Sequence, residues 1–184
     1  EYLSKKYNKK INWKSNSDTE TILVANQILG FENTLKLLEG MFAFALYNKI
    51  RNILYIARDR VGEKPLYYYH NDSKFIFGSD ISIFKKIDRI DLSINYNVFS
   101  DYLQKGYVRS PHSIYKLIFK LDPGHYLEIK DNFSSLKKKC YWNIKNLITS
   151  KLSGRQNSNK NFLEEKNDLK KILEETVLKQ TISD

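Results

Sequence analysis

Cysteine occurs once in this 184-residue sequence, at Cys140. An intramolecular disulfide is therefore excluded, and the low count fits a reducing compartment, so a cytoplasmic location is expected. Methionine also occurs once, at Met41, so the sequence opens at Glu1 without an initiator. It reads as an interior piece of a longer protein. Three prolines and seven glycines are too few for a collagen-like or Pro/Gly-rich disordered chain. No apolar run approaches the roughly 20 residues of a membrane-spanning helix, and no membrane partner is expected. Glycine-rich phosphate loops of the P-loop or dinucleotide-binding type are missing. The three histidines, His70, His112 and His125, lie far apart and lack metal-ligand spacing, so no metal site is expected.

What is present describes a folded domain. Hydrophobic residues make up 41% and aromatic residues 14%, enough for a packed core. The net charge of +10 could mark a nucleic-acid partner. Its excess is mainly lysine, mixed with Asn, Ile and Tyr, residues that share A/T-rich codons. The lysine clusters at 5–6, 9–10 and 137–139 are short and scattered. The charge is read as non-specific, with no nucleic-acid partner.

Periodicity divides the chain. Residues 1–10 suggest the end of a polar helix. SDTE at 17–20 is a helix start, with Ser17 as N-cap and Glu20 completing a capping box. Ile22, Ala25, Ile28 and Leu29 continue it to a stop at Gly30. A shorter helix passes through Leu35, Leu37 and Leu38. Residues 41–47 are nearly all apolar and predict a strand covered on both faces. A polar turn at 48–52 leads to its hairpin partner at 53–57. A second pair, 65–69 and 75–77, follows. Residues 91–106 predict a helix with Tyr96, Phe99, Tyr102 and Leu103 on one face. Residues 115–130 carry strand–turn–strand signals around Asp122-Pro123-Gly124. The Lys/Asn/Ser-rich stretch 145–161 reads as a linker. An amphipathic helix through Leu163, Leu169, Ile172, Leu173 and Val177 comes last.

Few residues qualify for chemistry. Asp18 stands where a helix N-terminus favours a carboxylate. It is either simply a good helix start or a ligand for the ammonium group of an amino acid. Arg58, Asp59, Gly62 and Pro65 form a charged corner after the hairpin. An ion pair pinning the connection, with Gly62 supplying special backbone geometry, is the preferred reading. An anion site or a contact with a neighbouring domain is the other. Cys140 has no nearby histidine and reads as a small buried residue in a strand.

The order of several segments resembles one family. SDTE at 17–20, GMFAFALYN at 40–48, ARDRVGEKPLYYY at 57–69, FIFGSDIS at 75–82 and YVRSPHSIYKLIFKLDPGHYL at 107–127 are similar in sequence and order to glutamine-hydrolysing asparagine synthases. The departures are small. Gly78 and Asp80 replace the usual alanine and glutamate, while Arg109 and Asp122 stand in place of prolines.

The resemblance implies an α+β fold: the four-layer αββα sandwich of N-terminal-nucleophile hydrolases, incomplete at its N-terminus and followed by the first helix of an α/β synthetase domain. Residues 1–144 would be the later part of a class-2 glutamine amidotransferase domain, 145–161 a linker, and 162–184 the start of the ATP-dependent synthetase domain. Asp18 matches the aspartate that binds the α-amino group of glutamine. The nucleophilic cysteine is expected upstream of Glu1, and the ATP-binding loop after Asp184. These 184 residues alone are expected to hydrolyse no glutamine. The longer enzyme would use glutamine, aspartate and ATP with Mg2+, with a homodimer as an option. Two alternatives stand beside it. One is a relative that amidates another acceptor in surface-polysaccharide or antibiotic biosynthesis. The other is a non-catalytic basic binding module from a split gene.

Overall fold

The computed structural model describes residues 11–71, 73–130, 133–153 and 161–181. The helix expected over 1–10 lies outside them. The chain forms two compact units, 1–39 and 40–184.

The first unit holds α1 (Asp18–Leu29) and α2 (Phe31–Leu37). Gly30 separates them with φ of +78°, a conformation that L side chains rarely adopt. Its N–H closes α1 on Asn26 O at 2.9 Å, and its own C=O accepts from the Thr34 amide and hydroxyl, opening α2. One glycine therefore serves both helix ends. Among the described residues of this unit, Ala25, Phe31, Thr34 and Leu35 are buried.

The second unit is built on two antiparallel sheets. Strands β1 (Ala43–Asn48), β2 (Ile53–Arg58), β6 (His125–Lys130) and β7 (Ser135–Cys140) form the larger, in the order β1-β2-β6-β7. Strands β3 (Tyr67–Asn71), β4 (Lys74–Gly78) and β5 (Ile118–Lys120) form the smaller, in the order β4-β3-β5. The first hairpin pairs Ala43 with Arg58 and Asn48 with Ile53. The second pairs Tyr67 with Gly78 and Asn71 with Lys74. Strands β5 and β6, adjacent in sequence, belong to different sheets. Asp122-Pro123-Gly124 is thus a crossing between layers rather than a hairpin turn. Lys138 on β7 donates to Asp122 Oδ2 at 2.7 Å and ties this crossing down.

Alternation along the strands sets the layers. Leu54, Ile56, Leu127, Ile129 and Leu136 share one face of the larger sheet. They pack with Leu66, Tyr68, Phe75 and Leu121 from the smaller sheet and its flanks. The opposite face of the smaller sheet carries Tyr67, Tyr69, Ile76 and Ile118. It is covered by Ile81, Ile83 and Phe84 of a 3-10 turn (Ile81–Lys86), with Ile90, Leu92 and Tyr115. This second layer explains an unexpected exposure. Helix α3 (Tyr96–Lys105) buries no residue, and Tyr96, Phe99, Tyr102 and Leu103 are all exposed. The sheet face a helix could have covered is already occupied.

Two further expectations change. Strand β1 is not covered on both sides: Leu46 is buried, whereas Ala45 and Tyr47 are exposed. β1 is the edge of a four-stranded sheet facing a three-stranded one, so it overhangs. The stretch read as a linker contains α4 (Ile144–Ser153). Asn143 caps it, its Oδ1 accepting from the Lys145 amide at 2.8 Å. Ile144, Leu147 and Ile148 recur at helical spacing within the polar composition that suggested irregular chain. Helix α5 (Phe162–Thr181) follows, with Leu163, Leu169, Ile172, Leu173 and Val177 exposed.

Candidate functional site

Asp18 is the first helical residue of α1, with Ser17 as its N-cap. Ser17 Oγ accepts from the Thr19 amide at 3.1 Å. The reciprocal half of the expected capping box takes another form. Glu20 does not return to the Ser17 amide, which donates instead to Ser15 Oγ at 3.2 Å. Its carboxylate reaches further back, to the Lys14 amide at 2.9 Å, the Ser15 amide at 2.7 Å and the Ser15 hydroxyl at 2.8 Å. The Lys14 amide and then the Ser15 hydroxyl hold the Glu20 carboxyl below its ordinary range.

This divides the labour of two neighbouring carboxylates. Glu20 ties the incoming chain to the helix. Asp18 is exposed and makes no hydrogen bond or ion pair among the described residues. It sits at the positive end of a 12-residue helix. A carboxylate so placed can accept from a cationic ammonium group without first breaking an internal bond.

The corner is a different arrangement. Arg58 ends β2 and is largely buried. Its Nε donates to Lys64 O at 2.7 Å, Nη1 to Leu121 O at 2.6 Å and Nη2 to Gly62 O at 2.6 Å. Asp59 is fully buried. Its Oδ1 accepts from the amides of Val61, Gly62 and Glu63, and its Oδ2 from Lys64 at 2.9 Å. The two charges therefore meet backbone groups rather than each other, and the ion pair expected from the sequence is replaced by seven bonds to main chain. Burial lowers the Arg58 pKa, while the Asp59 charge works the other way. Gly62, at φ +75°, fits between Arg58 and Pro123: a Cβ there would lie 2.8 Å from Pro123 Cγ and 3.0 Å from Arg58 Cζ. Pro65 follows the Lys64 carbonyl that Arg58 uses, and Leu66 beyond it is buried, its C=O accepting from Leu121 at 2.9 Å.

Sequence reading missed the residues that close this corner. Tyr141 donates its hydroxyl proton to Arg58 O at 2.8 Å. Burial pushes its phenol well above the usual range. Gly124 donates to Asp59 O at 2.8 Å and accepts from Tyr141 and Trp142. The Pro-Gly pair at 123–124 signalled a turn, but nothing local announced that it would lock onto a residue some sixty positions earlier.

Cys140 is exposed at the end of the edge strand β7, not buried, and its Sγ–H lies 3.3 Å from Trp142 O. It is an internal residue without a free α-amine, which removes the self-activation an N-terminal nucleophile uses. Among the described residues no group of three His, Cys, Asp or Glu side chains could hold a metal ion. No helix among them is long and apolar enough to cross a membrane.

Two antiparallel sheets, a locked corner and a free carboxylate at a helix start meet a sequence pattern that decides the family: the glutamine amidotransferase domain matches residues 1–142. The chain belongs to the glutamine amidotransferase domain family. Among relatives of this amidotransferase domain is a Bacillus subtilis protein named asparagine synthetase [glutamine-hydrolyzing] 3. It is 34% identical over 129 residues, which is 70% of this chain and 20% of that protein. A second B. subtilis protein, asparagine synthetase [glutamine-hydrolyzing] 2, is 32% identical over 143 residues, 74% of this chain and 19% of that protein. The chain thus spans about a fifth of the length of these relatives. In fold it is similar to the glutamine phosphoribosylpyrophosphate amidotransferase of B. subtilis, solved with ADP and GMP. The TM-score is 0.52 at 17% identity, covering 77% of this chain and 26% of that one. The fold is that of the N-terminal-nucleophile amidotransferases, α+β with antiparallel sheets.

Proposed function

We propose that this glutamine amidotransferase domain is part of an asparagine synthase that hydrolyses glutamine and passes the ammonia to an activated aspartate. A nucleophilic cysteine outside these 184 residues would attack the glutamine side-chain amide and release ammonia. Water would then release glutamate. In a second domain, ATP and aspartate would form β-aspartyl-adenylate and pyrophosphate. Attack by ammonia on that intermediate gives asparagine and AMP. ATP and Mg2+ would act in that second domain, which residues 162–184 would begin after the segment 145–161. The names of the relatives support the synthase reading.

The observation that carries a glutamine site is Asp18. Its carboxylate is uncommitted at a helix N-terminus, while that of Glu20 anchors Lys14 and Ser15 of the preceding chain. In this reading Asp18 accepts from the glutamine α-ammonium and sets the amino acid's orientation. The reaction itself needs no proton from it.

The test uses the full-length protein. Asp18→Ala is expected to raise the KM for glutamine on the order of tenfold or more, the scale of one charge-assisted hydrogen bond. Ammonia-dependent asparagine formation should be unchanged. Equal loss of both activities would make Asp18 a structural residue and remove this reading.

A further inference from the structure

A second cluster of charge shares no residue with the corner. A cleft of about 220 Å³ opens beside the C-terminal end of α3, lined by Asp101, Lys105, Tyr107, Arg109, Ser110 and His112, with Val98 and Val108 supplying apolar wall. Its volume is below the roughly 300–1,000 Å³ typical of sites for drug-sized ligands, so its occupant must be small.

The loop that forms it is held at several points. Gly106 ends α3 in the left-handed conformation, φ +76°, and its N–H closes on Tyr102 O at 2.8 Å. This turns Tyr107 to Arg109 back beneath the last helical turn. Lys120 Nζ donates to Val108 O at 2.6 Å. The His112 amide donates to Arg109 O at 3.0 Å, and the Lys120 amide to Pro111 O at 2.9 Å. His112 and Phe119 form a further bridge. Strand β5 thus fixes the loop on both sides of Arg109.

The charges inside do not cancel. Lys105 pairs with Asp101 at 3.1 Å, and Arg109 approaches the same carboxylate oxygen only to 3.9 Å. Two cations share one anion, and the Arg109 guanidinium makes no hydrogen bond among the described residues. An arginine carries five N–H donors in a fixed plane, suited to phosphate or carboxylate oxygens. The Tyr107 and Ser110 hydroxyls add neutral donors, and His112 also lines the cleft. The C-terminal end of α3 opposes an anion with about half a charge, less than the surplus cation.

We infer that this cleft binds a small tetrahedral oxyanion of the phosphate class, held by Arg109 with Ser110 and Tyr107 as hydroxyl donors. Asp101 is its internal competitor. The anion takes over the guanidinium, and Asp101 keeps the lysine.

The experiment is isothermal titration of the full-length protein with inorganic phosphate at low ionic strength, and in a second arm with glycerol 3-phosphate. Saturable binding of phosphate is expected. Comparable affinity in both arms would assign the site to a phosphoryl group on a small metabolite, and phosphate alone to the free ion. Arg109→Ala should weaken binding on the order of tenfold, as removal of a charge-assisted bond does. Asp101→Asn should tighten it several-fold by removing the competing carboxylate. Glu174→Gln on α5 makes the same charge change elsewhere and should leave it unaltered. Absence of saturable binding in both arms would overturn the inference. So would equal tightening by Asp101→Asn and Glu174→Gln, because bulk charge would then explain the binding. Thermal melts of each variant establish that it is folded.

Discussion

Asp59 Oδ1 accepts the Gly62 amide proton across 2.6 Å from a position with no solvent exposure. That bond is one of four by which a single carboxylate gathers the amides of 61–64 into a tight turn. The carbonyls of the same turn point the other way, where Arg58 collects those of Gly62 and Lys64. Donors and acceptors of one short loop are thus sorted onto two opposite charges.

This sorting predicts a strong effect for a near-isosteric change. Asp59→Asn keeps the shape but replaces one acceptor oxygen by an NH2 that faces backbone donors. At least one buried amide then loses its partner and the rest lose a charged one. A stability loss of about 2–3 kcal/mol is expected, read as a lower urea midpoint at unchanged slope. A neutral outcome would mean that the turn holds itself without the carboxylate.

Gly124 and Gly106 make a matched pair for testing close approach against backbone conformation. Both have positive φ, +67° and +76°. A Cβ on Gly124 would collide with the Trp142 carbonyl oxygen, whereas one on Gly106 meets nothing within 4 Å. Gly106→Ala should therefore cost only the left-handed penalty, about 1–2 kcal/mol. Gly124→Ala adds a backbone displacement, which brings the expected cost to about 2–5 kcal/mol. Thermal melts of the two variants should rank in that order, and equal losses would show that the chain at 124 and 142 yields freely.

Part of this was legible in the sequence, and the dividing line is how far a signal reaches. Ser17, Gly30 and the hairpin turn at 48–52 act within a few residues, and they mark the elements where the structure has them. The corner composition also marked a special turn. Its partners did not show, because Leu121 and Tyr141 lie 63 and 83 residues from Arg58. The assignment of β5 and β6 to different sheets was equally hidden, since Pro-Gly signals a change of direction but not of layer. Helix α4 escaped notice because its few apolar residues are diluted by lysine and asparagine. Asp18 was a candidate from its position; that Glu20 anchors the preceding chain became visible only once the bonds to Lys14 and Ser15 were on view.

Tyr141 gives the closure of the corner a pH signature. Its hydroxyl donates to Arg58 O, and burial raises its pKa above the usual value near 10. A raised folded-state value means that the stabilisation is complete below the unfolded pKa and is lost as pH climbs through the folded one. Stability should fall above about pH 10. Tyr68, also raised by burial, contributes in the same direction. Tyr141→Phe should cost about 1–2 kcal/mol at neutral pH by leaving a buried carbonyl unsatisfied. It should also flatten the alkaline decline. Urea midpoints of both proteins from pH 7 to 11 test this, and parallel curves would place the titration elsewhere.

Glu20 and Asp18 can be separated by hydrogen exchange, independently of any activity. The Lys14 and Ser15 amides are bonded to Glu20 and, among the described residues, to no backbone carbonyl. Their protection should therefore follow the ionisation of that one carboxyl. Its pKa is lowered in the folded state, so the bonds are fully present above the unfolded value near 4.3 and fade as pH falls below it. Both amides should lose protection in acid, at a pH where the Gly30 amide, bonded to Asn26 O, keeps its own. Glu20→Ala should remove the protection at every pH. Asp18→Ala should leave it unchanged, because Asp18 takes no part in those bonds. If Asp18→Ala also released the two amides, the carboxylates would share the structural task, and the glutamine-binding role would lose its physical basis.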